Sequence, residues 1–166
     1  MTNVVICIWL QTSQFQLTLA NSKWTLSENF QPFNFMLQTN PEIDHIVAEA
    51  TKLAQEHKHE YVVAEHLFLC LVKYKPFHEL ISNYGIDTAG LVGDLEKYIS
   101  TQLTFLVNDK VTDPKKTHAL ERVFNRAFTQ VLFSARSHVQ IIDLFLSIHA
   151  ESNSYAHYFM TKYSMD

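Results

Sequence analysis

From Glu42 onward the apolar residues recur at three- and four-residue spacing. Ile43, Ile46, Val47, Ala50, Leu53 and Ala54 form one face of a predicted helix. Asn40 stands where a cap belongs, and Pro41 stands at the first helical position, where a missing N–H costs nothing. A denser apolar run, from about Val63 to Val72 through Leu67, Phe68, Leu69 and Leu71, predicts a second, largely buried helix. Pro76 is expected to end it. A third helix is expected over Phe77 to Tyr84 with Gly85 as its terminator, and Thr88 is expected to cap a fourth that runs through Leu91, Leu95 and Ile99.

Residues 1–35 have another texture. Val4-Val5-Ile6-Cys7-Ile8-Trp9-Leu10 is rich in β-branched and aromatic side chains, and Phe15-Gln16-Leu17-Thr18-Leu19 alternates apolar with polar. With Asn21-Ser22 as a weak turn before Trp24-Thr25-Leu26, the segment reads either as a short β-hairpin or as a disordered extension. Met36-Leu37 offers a second start just before the helical pattern, so residues 1–35 are given no functional weight and the domain is taken as 36–166.

The helical pattern repeats at an offset of about 77 residues. Ile43, Ile46, Val47 and Ala50 correspond to Leu120, Val123, Phe124 and Ala127; Val62 corresponds to Val139, and Leu67-Phe68-Leu69 to Leu144-Phe145-Leu146. After a two-residue insertion, Tyr84-Gly85-Ile86-Asp87 matches Tyr163-Ser164-Met165-Asp166. Neither unit can bury its apolar faces alone, so the expected fold is all-α: a duplicated four-helix repeat packed with pseudo-twofold symmetry into a compact bundle. Repeat 1 is expected to span about 41–100, an exposed linker 101–117, and repeat 2 about 118–166, with its last helix read as missing or cut away.

Composition narrows the classes. With 166 residues, 47% hydrophobic and 18% charged, the chain can bury one real core. Only 3 Gly and 4 Pro leave too few turn residues for a many-stranded sandwich or barrel. A net charge of −4 without a basic run argues against nucleic acid as a partner. Cys7 and Cys70 are too few and too far apart for a disulfide framework, which suits a reducing cytoplasm. The apolar stretch Val4 to Leu10 is too short to cross a bilayer and follows no positive charge, so neither export nor membrane association is expected.

Gly85, Gly90 and Gly93 form no phosphate-cradling loop, so no ATPase step and no cofactor are expected. His57, His59, Glu60, Glu65 and His66 have the chemistry of zinc ligands, but His57 and His59 stand two apart at a helix end, where their side chains should diverge. The reading preferred is structural: imidazoles closing a helix near its negative end, with Glu65 and His66 in local hydrogen bonds. Cys70 lies in an apolar helical run and reads as an inert core thiol. The chain is therefore read as not an enzyme. The alternatives are a metal-dependent enzyme built on His57, His59 and Glu60, or a structural oligomerisation domain using residues 1–35.

Two segments carry a family resemblance. Gln55-Glu56-His57-Lys58-His59-Glu60-Tyr61, followed by Ala64-Glu65-His66-Leu67-Phe68-Leu69-Cys70-Leu71, resembles the first Clp repeat of the N-terminal domain of the ClpA-type unfoldases. Leu120-Glu121-Arg122-Val123-Phe124-Asn125-Arg126-Ala127 resembles the opening of that domain's second repeat, so the similarity covers roughly 36–166. The resemblance implies a double Clp repeat that docks the adaptor ClpS, or substrate segments, for ATP-dependent proteolysis by ClpP. A free-standing version would compete for the adaptor, whereas ATPase rings and ClpP become partners only if the chain is part of a larger ClpA-like protein. By position, Glu60 and Thr117 match adaptor-facing residues, with His59 and Arg122 as neighbours. Glu65 and His66 match the acidic pocket that binds phosphoarginine in the related ClpC type, although the second repeat has Ile142-Asp143 instead of a second such pair.

Overall fold

A computed structural model describes residues 40–110, 112–134 and 136–165. The readings made above for residues 1–35 lie outside them.

Helix α1 (Pro41–Glu56) starts as its sequence asks: Asn40 is extended, its side chain accepts from the Glu42 amide, and Pro41 opens the first turn. Ile43, Ile46, Ala50 and Ala54 are its buried stripe. After the short strand β1 (Tyr61–Val62) comes α2 (Ala64–Lys73), which buries eight of its ten residues. The chain bends at Tyr74, and α3 (Lys75–Asn83) begins before Pro76 rather than after it. Pro76 thus sits in the first turn of α3, where helical N–H groups lack partners anyway.

Gly85 ends α3 in the left-handed conformation at φ 81°. Helix α4 (Thr88–Gln102) is capped by Asp87, whose side chain accepts from the Gly90 amide at 3.0 Å, and not by Thr88, which is its first residue. A carboxylate there also meets the positive end of the helix dipole, which a hydroxyl answers less well. The segment read as a linker has structure of its own: a 3-10 turn over Leu103–Leu106, a bridge from Val107 to His59, and strand β2 (Lys115–Lys116). β2 runs parallel to β1, pairing Tyr61 with Lys115 and Val62 with Lys116.

Helix α5 (His118–Phe133) is capped by Thr117, α6 (Ile141–His149) follows, and α7 (Tyr155–Lys162) is capped by Ser154. The duplication is visible in the bounds, since α1 and α5, and likewise α2 and α6, begin 77 residues apart. Even the turn after the third helix recurs: Ser164 at φ 53° stands where Gly85 does. Ile86 N donates to Ile81 O at 3.2 Å, and Met165 N donates to Met160 O at 2.9 Å. Helix α2 is the hub, packing on α1, α3, α4, α5, α6 and α7. Its fully buried Leu67, Phe68 and Leu71 join α1's Ile46, α4's Leu91 and Leu95, α6's Leu144 and Ile148, and α7's Met160 in one core.

Candidate protein-docking site

The residues singled out by sequence gather around the chain reversal after α1. Lys58 takes the left-handed conformation at φ 55°, and His59 N donates back to Ala54 O at 2.8 Å. This reversal lays the His59 ring over the His57 ring, centroids 5.4 Å apart, where simple spacing predicted that they diverge. His59 is only 2% exposed. It therefore does not offer its ring to a partner as its place in the sequence suggested.

His59 faces inward to His66, the third residue of α2. Their Nδ1 and Nε2 atoms are 3.0 Å apart, and His66 Nδ1 accepts from the Val63 amide at 3.1 Å. That amide dictates the tautomers. His66 must carry its proton on Nε2, donate it to His59 Nδ1, and leave the His59 proton on Nε2. Burial pushes both rings below the ordinary histidine range, with neighbouring imidazoles adding to it, and takes His66 to about 3.

Glu60 and Thr117 flank the β1–β2 pair. Glu60 N donates to Leu106 O at 2.7 Å, Lys115 N donates to Glu60 O at 2.9 Å, and the Glu60 carboxylate accepts from Asn108 Nδ2 at 3.3 Å. Thr117 N and its hydroxyl both donate to Val62 O at 3.3 Å, while Thr117 Oγ1 accepts from the Leu120 amide as the α5 cap. Both side chains are half-buried, and Lys115 and Lys116 between them are exposed. Arg122, farther along α5, directs its guanidinium to Glu151 at 2.5 Å, and Arg126 reaches the same carboxylate at 3.4 Å. The hydrogen bond from Arg122 leads in holding the Glu151 carboxyl below the usual carboxylate range.

Glu65 does not line an open acidic pocket with His66. It is 7% exposed, and one carboxylate oxygen accepts from the Tyr155 and Ala156 amides at 2.8 and 3.3 Å, capping α7 of the other repeat. Burial raises its pKa against those amides. Cys70 is half-buried, and burial pushes its thiol up to about 11, away from the reactive thiolate.

The reversal has a counterpart in repeat 2. Arg136, 77 residues after His59, forms a two-pronged ion pair with Asp143, 77 residues after His66, at 2.6 and 2.9 Å. Asp143 also accepts from the Gln140 amide at 2.8 Å, as His66 accepts from Val63. The offset that aligned the leucines would have found this pair had it been followed through the loops. No such signal points to Asn108 or Glu151, which reach the site through the tertiary fold. Among the described residues, no group of three or more His, Cys, Asp or Glu side chains is arranged to hold a metal ion. An open groove of about 700 Å³ runs between α5 and α6 past Phe133, Leu146, Arg126 and Arg136, within repeat 2.

A duplicated helical repeat with a short parallel strand pair thus defines the class of fold. The family described as the Clp repeat (R) N-terminal domain matches residues 39–163, and the chain belongs to that family. A ClpA homolog protein from Fuscovulum blasticum is 28% identical over 124 residues, which is 74% of this chain and 16% of that protein. The chain thus spans about a sixth of that relative's length. Two solved structures share the fold. One, from preliminary structural investigations of a malarial protein secretion system, has a TM-score of 0.67 at 12% identity, covering 77% of this chain and 86% of that one. Another, described as a peptide from the EAEC T6SS Sci1 SciI protein, has a TM-score of 0.59 at 17% identity, covering 68% and 70%. No helix among the described residues is long and apolar enough to cross a membrane.

Proposed function

We propose that this chain is a non-catalytic protein-docking module of the cytoplasmic Clp system, receiving a ClpS-like adaptor or substrate segments on the Glu60–Thr117 face. The observation that carries this reading is the joining of Glu60 and Thr117, 57 positions apart in sequence, through the hydrogen bonds of one strand pair. A carboxylate, a hydroxyl and two exposed lysines on a backbone-braced rim suit a polar partner that reads geometry more than area. A free-standing copy would occupy the adaptor and divert it from the protease.

The test is calorimetric titration of the whole chain with purified ClpS, alongside Glu60→Ala and Thr117→Ser. Thr117→Ser keeps an N-cap hydroxyl, so a loss of binding reports on the surface and not on the helix. Saturable binding weakened about tenfold by Glu60→Ala is the expected result. A folded chain that does not bind, or binding indifferent to both variants, would move the docking face elsewhere.

A further inference from the structure

The same loop has built two different latches. In repeat 2 the chain reversal is tied to its helix by the ion pair Arg136–Asp143, and in repeat 1 by two imidazoles at the equivalent positions. The backbone bonds behind them match as well: Arg136 N donates to Val131 O at 3.2 Å, as His59 N does to Ala54 O at 2.8 Å. One latch is an ion pair of opposite charges. The other is held together only while both partners are uncharged.

We propose that the His59–His66 pair is an acid-released latch on the β1–β2 face, closed while both rings are neutral and opened when either gains a proton. The argument is one of hydrogen places. His66 Nδ1 already faces the Val63 N–H at 3.1 Å, so a second proton on His66 sets two donors head to head. A second proton on His59 would lie on Nδ1, against the His66 Nε2–H across 3.0 Å. Shifting the His66 proton to the other nitrogen only moves the clash back to Val63. There is no place for an extra proton that keeps both bonds.

Nothing nearby compensates. His57, stacked on His59 from the end of α1, is another imidazole and opposes a charge there. Of the carboxylates close in sequence, Glu60 is engaged with Asn108, Glu65 with the α7 amides, and Asp109 with Lys58 at 2.6 Å, while Glu56 is exposed at the end of α1 and bonded to neither ring. The depressed pKa of both rings, with His66 at about 3, agrees with this geometry. Opening would reach the proposed docking face because Glu60 follows His59 on the same turn and Asn108 is hydrogen-bonded to both Lys58 and Glu60. Asn108 N donates to Lys58 O at 2.8 Å, and Lys115 N donates to Glu60 O at 2.9 Å. The consequence for docking rests on the function proposed above, but the latch itself does not.

The test is amide hydrogen exchange on the whole chain, without any partner, at pH 7.5 and pH 5, expressed as protection relative to the unstructured rate. His59 and Arg136 form a matched pair of amides. Protection at His59, Glu60 and Lys115 should fall by about 30-fold, the ratio set by an open-state histidine near 6.5 and a closed state that resists protonation. Protection at Arg136 should fall severalfold less. Equal falls at both amides, or none at His59, would overturn the proposal. A second readout on the same unaltered chain is the nitrogen-15 shift of the His66 ring; titration of its ring near 6.5 in the folded chain would overturn it independently. If the latch holds by these measures while ClpS fails to bind, the docking reading falls and the latch stands.

Discussion

Helices α2 and α6 occupy equivalent places in two copies of one pattern, yet they live in different surroundings. In α2, Glu65, Leu69 and Val72 are all buried, at 7%, 1% and 0% exposure. Their counterparts in α6 are Ile142, Leu146 and His149, of which the first two are 42% and 47% exposed. The cause is the neighbours. Helix α4 lies along α2, and among the described residues no fourth helix lies along α6. A shared leucine pattern therefore does not confer shared burial, because burial belongs to the pair of surfaces and not to either one.

Chemistry follows the same asymmetry. The oxygen or nitrogen atoms Gln130 Oε1, Ser147 Oγ and His149 Nε2 are buried without a hydrogen-bond partner, and all lie on α5 and α6. Their repeat-1 counterparts are Leu53, Cys70 and Val72, so repeat 1 has placed carbon or sulfur where repeat 2 keeps polar atoms. Among the described residues, repeat 1 is the better-satisfied half of the core.

The sharpest way to break this comparison is one substitution made twice. Leu69→Asp puts an unpaired charge into the packed hub and should prevent folding, whereas Leu146→Asp on the open side of α6 should change stability by no more than about 0.5 kcal/mol. Urea denaturation followed by circular dichroism reads both, and comparable losses would mean that α6 is as covered as α2.

Acid gives the next largest effect. His66 is held at about 3 in the folded chain and returns to about 6.5 when unfolded, so the unfolded state takes up protons first as pH falls. The stability that the neutral ring contributes is complete above pH 6.5 and is lost as pH descends toward 3, about 2 kcal/mol of it by pH 5. Urea midpoints across pH 7 to 5 measure this. The double variant His59→Arg/His66→Asp, which writes the repeat-2 latch into repeat 1, should flatten the profile wherever it folds.

Effects of equal or smaller size sharpen the contrast further. Glu65→Ala strands two amides at the start of α7 and should cost about 2 kcal/mol, with Glu65→Gln recovering most of it because an acceptor remains. Ile142→Ala at the matching position should cost well under half as much, and equal losses in chemical denaturation would refute the assigned cap. At the α1 and α5 starts the repeats should agree: Asn40→Ala and Thr117→Ala each remove a cap worth about 1 kcal/mol, seen as similar falls in Tm.

Most of the helices were legible because their cause is local. Asn40-Pro41 and the Ile43, Ile46, Ala50 spacing are sufficient to start α1 and choose its buried face, and Gly85 is sufficient to end α3. The start of α4 was misplaced by one residue because both Asp87 and Thr88 are competent caps, and only backbone geometry chooses between them. The candidate site was legible in part. Glu60 and Thr117 lie half-buried beside the β1–β2 pair, whereas His59 turned inward and Glu65 turned to α7, directions set by the left-handed Lys58 and by the packing of one repeat on the other.

By itself, the sequence determined the helical class, the duplication and its 77-residue offset, since these are carried by periodicities that any window of the chain contains. Only the tertiary structure decided which copy of each leucine is buried, which histidine nitrogen holds a proton, and that residues 61 and 115 pair as strands. The physical reason is the range of the forces involved. Helix propensity and capping act within a few residues, whereas burial, proton affinity and strand pairing depend on groups that the chain brings together from far along its length.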